Sequence, residues 1–210
     1  MTAAANENYT FDGWYDGETK VCGTAEFVVE NVTGDKIYTA KFTYNPVVST
    51  ESKLFSTSKS DNFMTRAKNA GFVTSMNAIK GVSFVDLSSY DLTGITTADY
   101  SADGDGSVLA WYDKMTAVLY IGGYGKIVAG SSLNSAFRSG EYIDAINGLN
   151  MLDTSNVTNM SYMFYYCGYR SEVFTLDLGN NFVTSNVTDM SYMFYYCGYR
   201  SEVFTLDLGN

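Results

Sequence analysis

The chain has 210 residues and no histidine. Ser-His-Asp, Cys-His and His-metal arrangements all require an imidazole, so these classes of enzyme are excluded. Carboxylate pairs could still support catalysis, but no motif places two acidic side chains together. We therefore expect a protein that is not an enzyme and that binds no metal or cofactor.

Basic residues are also few: 13 Lys and Arg stand against 23 Asp and Glu, giving a net charge of −10. Nucleic-acid backbones and anionic membranes select for Lys and Arg, so neither is expected as a partner. No apolar run approaches the roughly 18 to 20 residues of a membrane span. The N-terminus lacks a charged-then-apolar signal sequence, so any export would be directed by sequence outside these residues. The apolar content of 46% is ample for a packed core. The acidic surface fits a soluble protein that is exported or displayed at a cell surface.

The C-terminal part of the chain contains two copies of one unit. Copy 1 (154–183) and copy 2 (184–210) are offset by 184 − 154 = 30 residues, and over their shared 27 positions only Asn159 against Asp189 differs. Residues 132–153 echo the same pattern in degenerate form, as a capping repeat does. A fixed period of this length predicts a solenoid, in which each unit buries its apolar face against the next. Copy 2 would then present an uncapped edge.

Within a copy, residues 173–183 fit the leucine-rich spacing LxxLxLxxNxL. Leu176 and Leu178 are expected to enter the core of a short strand whose alternate residues face outward. Residues 187–197 predict a short helix, capped by Ser185 or Asn186. Its inward residues would be Val187, Met190, Met193, Phe194 and Cys197.

The outward residues of both copies form the predicted binding surface. The tyrosines either pack as ladders between copies or contact a ligand directly, and the sequence leaves both roles open. Cys167 and Cys197 occupy equivalent positions and could form a buried ladder or a disulfide. The complete predicted surface is Thr175, Asp177, Tyr162, Tyr165, Tyr166, Tyr169, Tyr192, Tyr195, Tyr196, Tyr199, Thr205 and Asp207.

Residues 9–42 alternate β-rich runs with turns at Asp12-Gly13 and Asp16-Gly17. The segment FDGWYDG, followed by IYTAKF, resembles the internalin-type B-repeat. This resemblance implies a small β-grasp-like module over residues 1–45. The usual opening strand is absent, so residues 1–6 either begin partway into a module or replace that strand. The expected core is Phe11, Trp14, Phe27, Val29, Tyr38 and Phe42.

A boundary is predicted at Asn45-Pro46, followed over residues 46–131 by a linker, a helix and a β-rich capping region. The helix, within residues 60–72, would be capped by Ser60 or Asp61 and end at Gly71, with Met64, Ala67 and Ala70 inward. Strands are predicted within residues 82–87, 107–113, 117–123 and 126–130 in an antiparallel or mixed arrangement. Residues 101–107 read either as a plain turn or as a calcium loop that lacks its final glutamate.

Residues 80–210 resemble the BspA-like leucine-rich surface proteins, through LDTSNVTNMSYMF, TSNVTDMSYMF, DGDGSVLAWYD and LYIGGYGKIVA. The 30-residue unit is longer than the usual one. The resemblance implies a mainly β chain with short helices and a leucine-rich-repeat-type solenoid. It also implies extracellular display and adhesion to a host matrix protein, a microbial surface protein or a glycan.

Two other functions remain open from the sequence. Uncapped repeat edges could stack chains into a fibre or surface layer, because any copy can mimic another copy's neighbour. The chain could also be an accessory module of a larger cell-wall enzyme or phage tail protein.

Overall fold

The computed structural model describes residues 1–6, 9–44 and 51–209, and the chain divides into two compact units, Met1–Val47 and Val48–Asn210. Both units are built mainly from β-strands, so the expectation of a mainly β chain is confirmed. The predicted boundary at Asn45-Pro46 lies outside the described residues.

The first unit contains an antiparallel sheet in which β1 (Tyr9–Asp16) lies between β2 (Thr19–Cys22) and β3 (Thr39–Tyr44). The turn between β1 and β2 begins at Gly17, whose φ of +60° suits glycine. The turn predicted at Asp12-Gly13 is wrong, because both residues lie inside β1. A register shift beside Gly13 marks a β-bulge there instead.

Aromatic side chains pack around Trp14 in this unit. The Trp14 ring lies 6.0 Å from that of Phe11 and 6.2 Å from that of Phe27, and its indole N–H donates to the carbonyl of Ala25. Phe42, expected in the core, is 36% exposed. Residues 1–3 pair with residues 25–27, which lie outside the three strands, through two backbone hydrogen bonds and one antiparallel bridge.

In the second unit, α1 (Phe63–Asn69) begins after Asn62, whose amide oxygen accepts a backbone N–H of the first helical turn at 3.0 Å. The caps predicted at Ser60 or Asp61 are therefore wrong. The Asp61 carboxylate instead pairs with the Arg66 guanidinium at 2.7 and 2.9 Å. Met64 and Ala67 are buried as predicted, together with Phe63, whereas Ala70 lies beyond the helix and is exposed.

A mixed sheet follows the helix. The strand β5 (Gly81–Asp86) runs parallel to β8 (Val118–Gly123), which forms an antiparallel hairpin with β7 (Val108–Asp113). The short β6 (Ala98–Asp99) lies at the outer edge. Alternating burial along these strands explains their formation, and the predicted mixed β-region is confirmed.

The repeats extend this sheet by parallel pairing. The strands β10 (Ala145–Asn147), β12 (Val173–Asp177) and β13 (Val203–Asp207) follow β5 in order. Each residue of β12 pairs with the residue 30 positions later on β13. Leu176 is fully buried, so the strand register expected from the leucine spacing is confirmed.

Two further lines of parallel pairing run beside the first. The strands β4 (Ser52–Lys53), β9 (Ile127–Val128) and β11 (Leu152–Asp153) form one of them. Single bridges form the other, from Thr57 to Leu133 and from Ser132 through Asn159 to Asp189. Strands and bridges from residues 51–131 thus cover the degenerate unit on the side away from copy 1.

The helix predicted over residues 187–197 is wrong, because both copies form a run of tight turns there. In copy 1 the amides of Met163, Tyr165 and Cys167 donate to the carbonyl three residues earlier. The alternate amides of Tyr162, Phe164 and Tyr166 donate to copy 2 instead. A helix cannot divide its amides in this way, since each would donate within the helix.

Positive φ angles fix this turn run. Tyr162, Tyr166, Tyr192 and Tyr196 have φ between 54° and 58°, the left-handed region that side chains rarely adopt. At each of these residues the next amide points in a different direction, so the hydrogen-bond pattern of a helix cannot continue. The predicted inward set is nevertheless correct in copy 1, where Val157, Met160, Met163, Phe164 and Cys167 are fully buried.

Copy 1 and copy 2 differ in burial although their sequences agree. Leu176 is 0% exposed and its counterpart Leu206 is 38% exposed. The same comparison gives 0% for Met160 and 44% for Met190. Copy 2 therefore covers copy 1, and presents the same apolar positions on its own far side.

This difference gives a matched pair of substitutions. Leu176→Ala should lower the free energy of unfolding by about 2 to 4 kcal/mol, because it leaves a cavity in a packed core. Leu206→Ala removes the same atoms from a half-covered site and should cost about 1 kcal/mol or less. Urea unfolding of both variants measures the difference, and equal losses would contradict the register described above.

Candidate functional site

The tyrosines of the two turn runs stack in columns from one copy to the next. The rings of Tyr162 and Tyr192 lie 5.0 Å apart with an interplanar angle of 15°, and those of Tyr165 and Tyr195 lie 5.4 Å apart at 11°. Tyr169 and Tyr199 stack at 6.2 Å, and Tyr166 lies 4.9 Å from Tyr196 at a tilt. We call this surface the tyrosine face. Ladder packing, one of the two roles foreseen for these residues, is present.

The degenerate unit contributes an arginine to the same columns. Ser135 and Ser139 both have φ of 60°, like the tyrosines 162 − 135 = 27 residues later, so the backbones correspond. By that offset Arg138 takes the place of Tyr165. Its guanidinium lies 4.5 Å from the Tyr165 ring centre and 5.2 Å from that of Tyr162. Arg138 was not predicted as a site residue. It corresponds to Tyr165 at an offset of 27 residues, whereas the two copies are offset by 30.

Other cations flank the tyrosine face. Lys80 lies 4.7 Å from the ring of Tyr142, the counterpart of Tyr169 at the same offset of 27. Arg170 and Arg200 both lie near the Tyr169 ring, at 5.6 and 5.1 Å. Arg170 also forms an ion pair with Glu141 at 2.7 Å. The face therefore combines aromatic rings with cations on a chain that is acidic overall.

The chemistry of the face is that of hydrogen bonding and stacking. Desolvation by its neighbours raises the pKa of Tyr166, and a hydrogen bond with the Tyr196 hydroxyl raises that of Tyr195. Both hydroxyls therefore stay protonated at neutral pH, where each can donate and accept a hydrogen bond. At the open side Tyr192 and Tyr199 are 56% and 67% exposed.

The predicted strand residues form a separate surface. Thr175 pairs in register with Thr205, and Asp177 with Asp207, on β12 and β13. Among the described residues, no hydrogen bond or ring contact joins them to the tyrosines. The carboxylates of Asp177 and Asp207 accept the backbone N–H two residues later at 2.8 and 2.9 Å, so each also shapes the end of its own strand.

All three cysteines are free thiols in the described chain. Cys167 and Cys197 are buried in the stack at equivalent positions. Burial raises the pKa of Cys167 well above its usual value and that of Cys197 to about 12. Cys22 lies in the first unit, where hydrogen bonding to Thr24 lowers its pKa.

The loop at residues 99–107 holds itself together with its own side chains. Asp99 accepts N–H groups from Ser101 and Gly106, and Asp105 accepts one from Ser107. Within the described residues, no group of three or more acidic or cysteine side chains is placed to hold a metal ion. The hydrogen bonds agree with the plain-turn interpretation of the sequence.

A cleft of about 530 Å³ lies on the outer face of the mixed sheet. Trp111 and Tyr120 stack on its floor at 5.1 Å, and Tyr90 packs against both rings. Asp113 lines one side, but its oxygens already accept bonds from the turn that follows. Lys114 supplies the positive charge of the lining. This cleft was not foreseen, because its residues come from four separate segments of the chain.

The comparisons with known proteins bear on the repeat region. Residues 131–209 match a family described as "Mycoplasma protein of unknown function, DUF285". The match spans the degenerate unit and both copies, and covers less than half of the chain. No curated protein and no solved structure matches the chain. None of the helices in the described residues has the length and apolarity needed to cross a membrane.

The cysteine environments predict an order of reaction. At mildly alkaline pH an alkylating reagent should modify Cys22 first, because thiolate is the reactive form and the two buried thiols stay protonated. Cys167 and Cys197 should react only on unfolding.

Mass spectrometry of native and urea-treated protein reads out the three sites separately. The Cys22→Ser variant is the control, and should show almost no labelling before unfolding. Rapid labelling of Cys167 in the native protein would contradict its burial.

Proposed function

We propose that the chain is a non-enzymatic binding protein that presents a repeat solenoid to a macromolecular partner outside the cell. The observation that carries the proposal is the tyrosine face, where rings from successive units stand in columns beside arginine. Parallel pairing of β12 with β13 at the repeat offset supports the solenoid. The partner would be a host matrix protein, a microbial surface protein or a glycan, as the resemblance to BspA-like proteins implies.

The physical case rests on how the tyrosines are held. Tyrosine and arginine are enriched at the energetic centres of protein interfaces. Side chains that are already stacked lose less conformational entropy when a partner binds. The ring contacts at 5.0 and 5.4 Å hold the side chains of Tyr162 and Tyr165 against copy 2 before any partner arrives. The face is thus preorganised for binding.

The N-terminal unit fits the same role in this proposal. Its sequence resembles the internalin-type B-repeat, so we propose a β-grasp-like module placed before the repeats. Such modules occur in tandem on bacterial surface proteins, which supports display at the cell surface.

The proposal predicts that the exposed tyrosines matter more for binding than for folding. The double variant Tyr192→Ser, Tyr199→Ser should reduce binding about tenfold or more, because it removes two exposed rings from the face. The readout is binding of biotinylated chain to an array of extracellular-matrix proteins, bacterial surface proteins and polysaccharides.

Tyr90→Ser is the matched control, since Tyr90 is an exposed tyrosine in the cleft away from the tyrosine face. It should leave array binding unchanged. Circular dichroism checks that both variants are folded. Undiminished binding by a folded double variant would remove the tyrosine face from the proposed function.

A second candidate function is self-assembly through the far side of copy 2. The amides of Met190, Tyr192, Phe194 and Tyr196 have no hydrogen-bond partner among the described residues, whereas their copy 1 counterparts donate to copy 2. Leu206 and Phe204 are also half-exposed there. This side matches the surface that copy 1 offers to copy 2, so another unit of the same sequence fits it.

Appending a further 30-residue copy after residue 210 tests this fit. The longer chain should melt at a higher temperature, because the apolar side chains and free amides of copy 2 become covered. Sedimentation velocity tests assembly, with Met190→Lys as a variant that places a charge on the far side of copy 2, where Met190 is 44% exposed. A rise in mass with concentration that Met190→Lys does not abolish would show that another surface is responsible.

A further inference from the structure

Two of the arginines on the tyrosine face lack an acidic partner, and this indicates an anionic ligand. Three of the four arginines of the chain, Arg138, Arg170 and Arg200, lie on this face. Arg170 is paired with Glu141. Arg138 and Arg200 have no carboxylate within ion-pair distance among the described residues, and both contact tyrosine rings. Two guanidinium groups are therefore free to bind an anion.

The geometry of a guanidinium favours a carboxylate. Its planar set of N–H groups matches two carboxylate oxygens at once, and stacking on a ring limits its motion beforehand. Arg138 is held against two rings, those of Tyr162 and Tyr165. Arg200 belongs to copy 2, two units further along the stack. The two anion-binding positions are thus separated along the direction in which the tyrosine columns run.

The spacing of the columns indicates a polymer rather than a single anion. Successive stacked rings stand 5.0 Å apart from Tyr162 to Tyr192, 5.4 Å apart from Tyr165 to Tyr195 and 6.2 Å apart from Tyr169 to Tyr199. An extended peptide repeats its side chains on one face about every 6.6 Å, twice its rise per residue. The two shorter ring spacings are instead closer to the length of one pyranose unit in an extended polysaccharide.

We propose that the tyrosine face binds an acidic polysaccharide, with sugar units aligned to the tyrosine columns and uronate carboxylates on Arg138 and Arg200. This inference rests on the proposed function and names its partner. Exposed tyrosine hydroxyls such as that of Tyr199 can donate to and accept from sugar hydroxyls, which suits a hydroxyl-rich chain.

The net charge of −10 does not prevent this binding. At physiological ionic strength the Debye length is about 8 Å, so charges further than that from the ligand are largely screened. The carboxylate paired at the face, Glu141, is neutralised by Arg170. Glu172 and Glu202 follow the turn runs, immediately before β12 and β13.

The test uses galacturonate oligosaccharides as the probe, with isothermal titration calorimetry at roughly physiological salt. The methyl ester of the same oligosaccharide keeps the sugars and removes the charge. Poly-glutamate keeps the charge and removes the sugars. We expect binding of the galacturonate, with both controls about tenfold weaker or more.

The variants identify the site. Arg138→Gln with Arg200→Gln should weaken galacturonate binding about tenfold or more, whereas Lys114→Gln removes one charge from the cleft and should have no effect. Arg138→Lys keeps the charge but not the planar group and should give an intermediate loss. Melting temperatures show which variants are folded, and Arg200→Gln, at an exposed position, tests the site alone if Arg138→Gln does not fold.

Three results would overturn the inference: no binding of galacturonate, equal binding of poly-glutamate, or full binding by the folded arginine variants. Partner binding on the array that depends on Tyr192 and Tyr199 would leave the proposed function standing in each case. Loss of both array binding and galacturonate binding would remove the two together.

Discussion

The division of backbone amides in the turn run is the constraint on which the repeat region depends. Every second amide donates within its own turn, and the amides between them donate to the neighbouring unit, as Tyr162 does to Ser191 and Phe164 to Met193. Buried backbone groups need partners, so a unit with half its turn amides directed outward is incomplete by itself. This pattern requires left-handed backbone angles at Tyr162 and Tyr166 in copy 1, which are unfavourable for residues with a side chain. The change of backbone direction at those residues separates the amides that donate within the turn from the amides that donate to the next unit.

The same constraint places the side chains. Because each unit donates straight along the stack, equivalent residues come into register, and identical residues then stack on themselves. The rings of Phe137 and Phe164, which are buried, and of Phe194, which is partly buried, lie 5.2 and 5.4 Å apart and nearly parallel. Phe63 at the start of α1 meets Phe137 edge-on at 5.1 Å and closes this column on one side. The tyrosine columns are the outward equivalent of the phenylalanine column, so the core and the candidate binding face arise from one register.

The sequence was a good guide to strands and inward residues and a poor guide to the turns. Leu176 and the strands around Val82 and Val118 could be predicted because alternation of apolar residues is a local signal. The turn run was mistaken for a helix since its hydrogen bonds close every three residues, so Met160, Met163 and Cys167 recur at almost the helical spacing. Arg138 could not be placed because its equivalence to Tyr165 depends on a shorter unit, which only the matching φ angles of Ser135 and Ser139 reveal.

The position of the tyrosine face relative to the stack separates the two functions considered for the chain. Stacking of further units uses the side of copy 2 where Leu206 is exposed, along the axis of the array. The tyrosine columns run along the same axis, since copy 2 rings stack on copy 1 rings, so adding a unit would lengthen the columns. A longer array would then offer more sugar-length steps to one polymer, and each extra contact on the same ligand would act at high effective concentration. In this proposal, near-identical copies are as well suited to binding a repeating polymer as to stacking on one another.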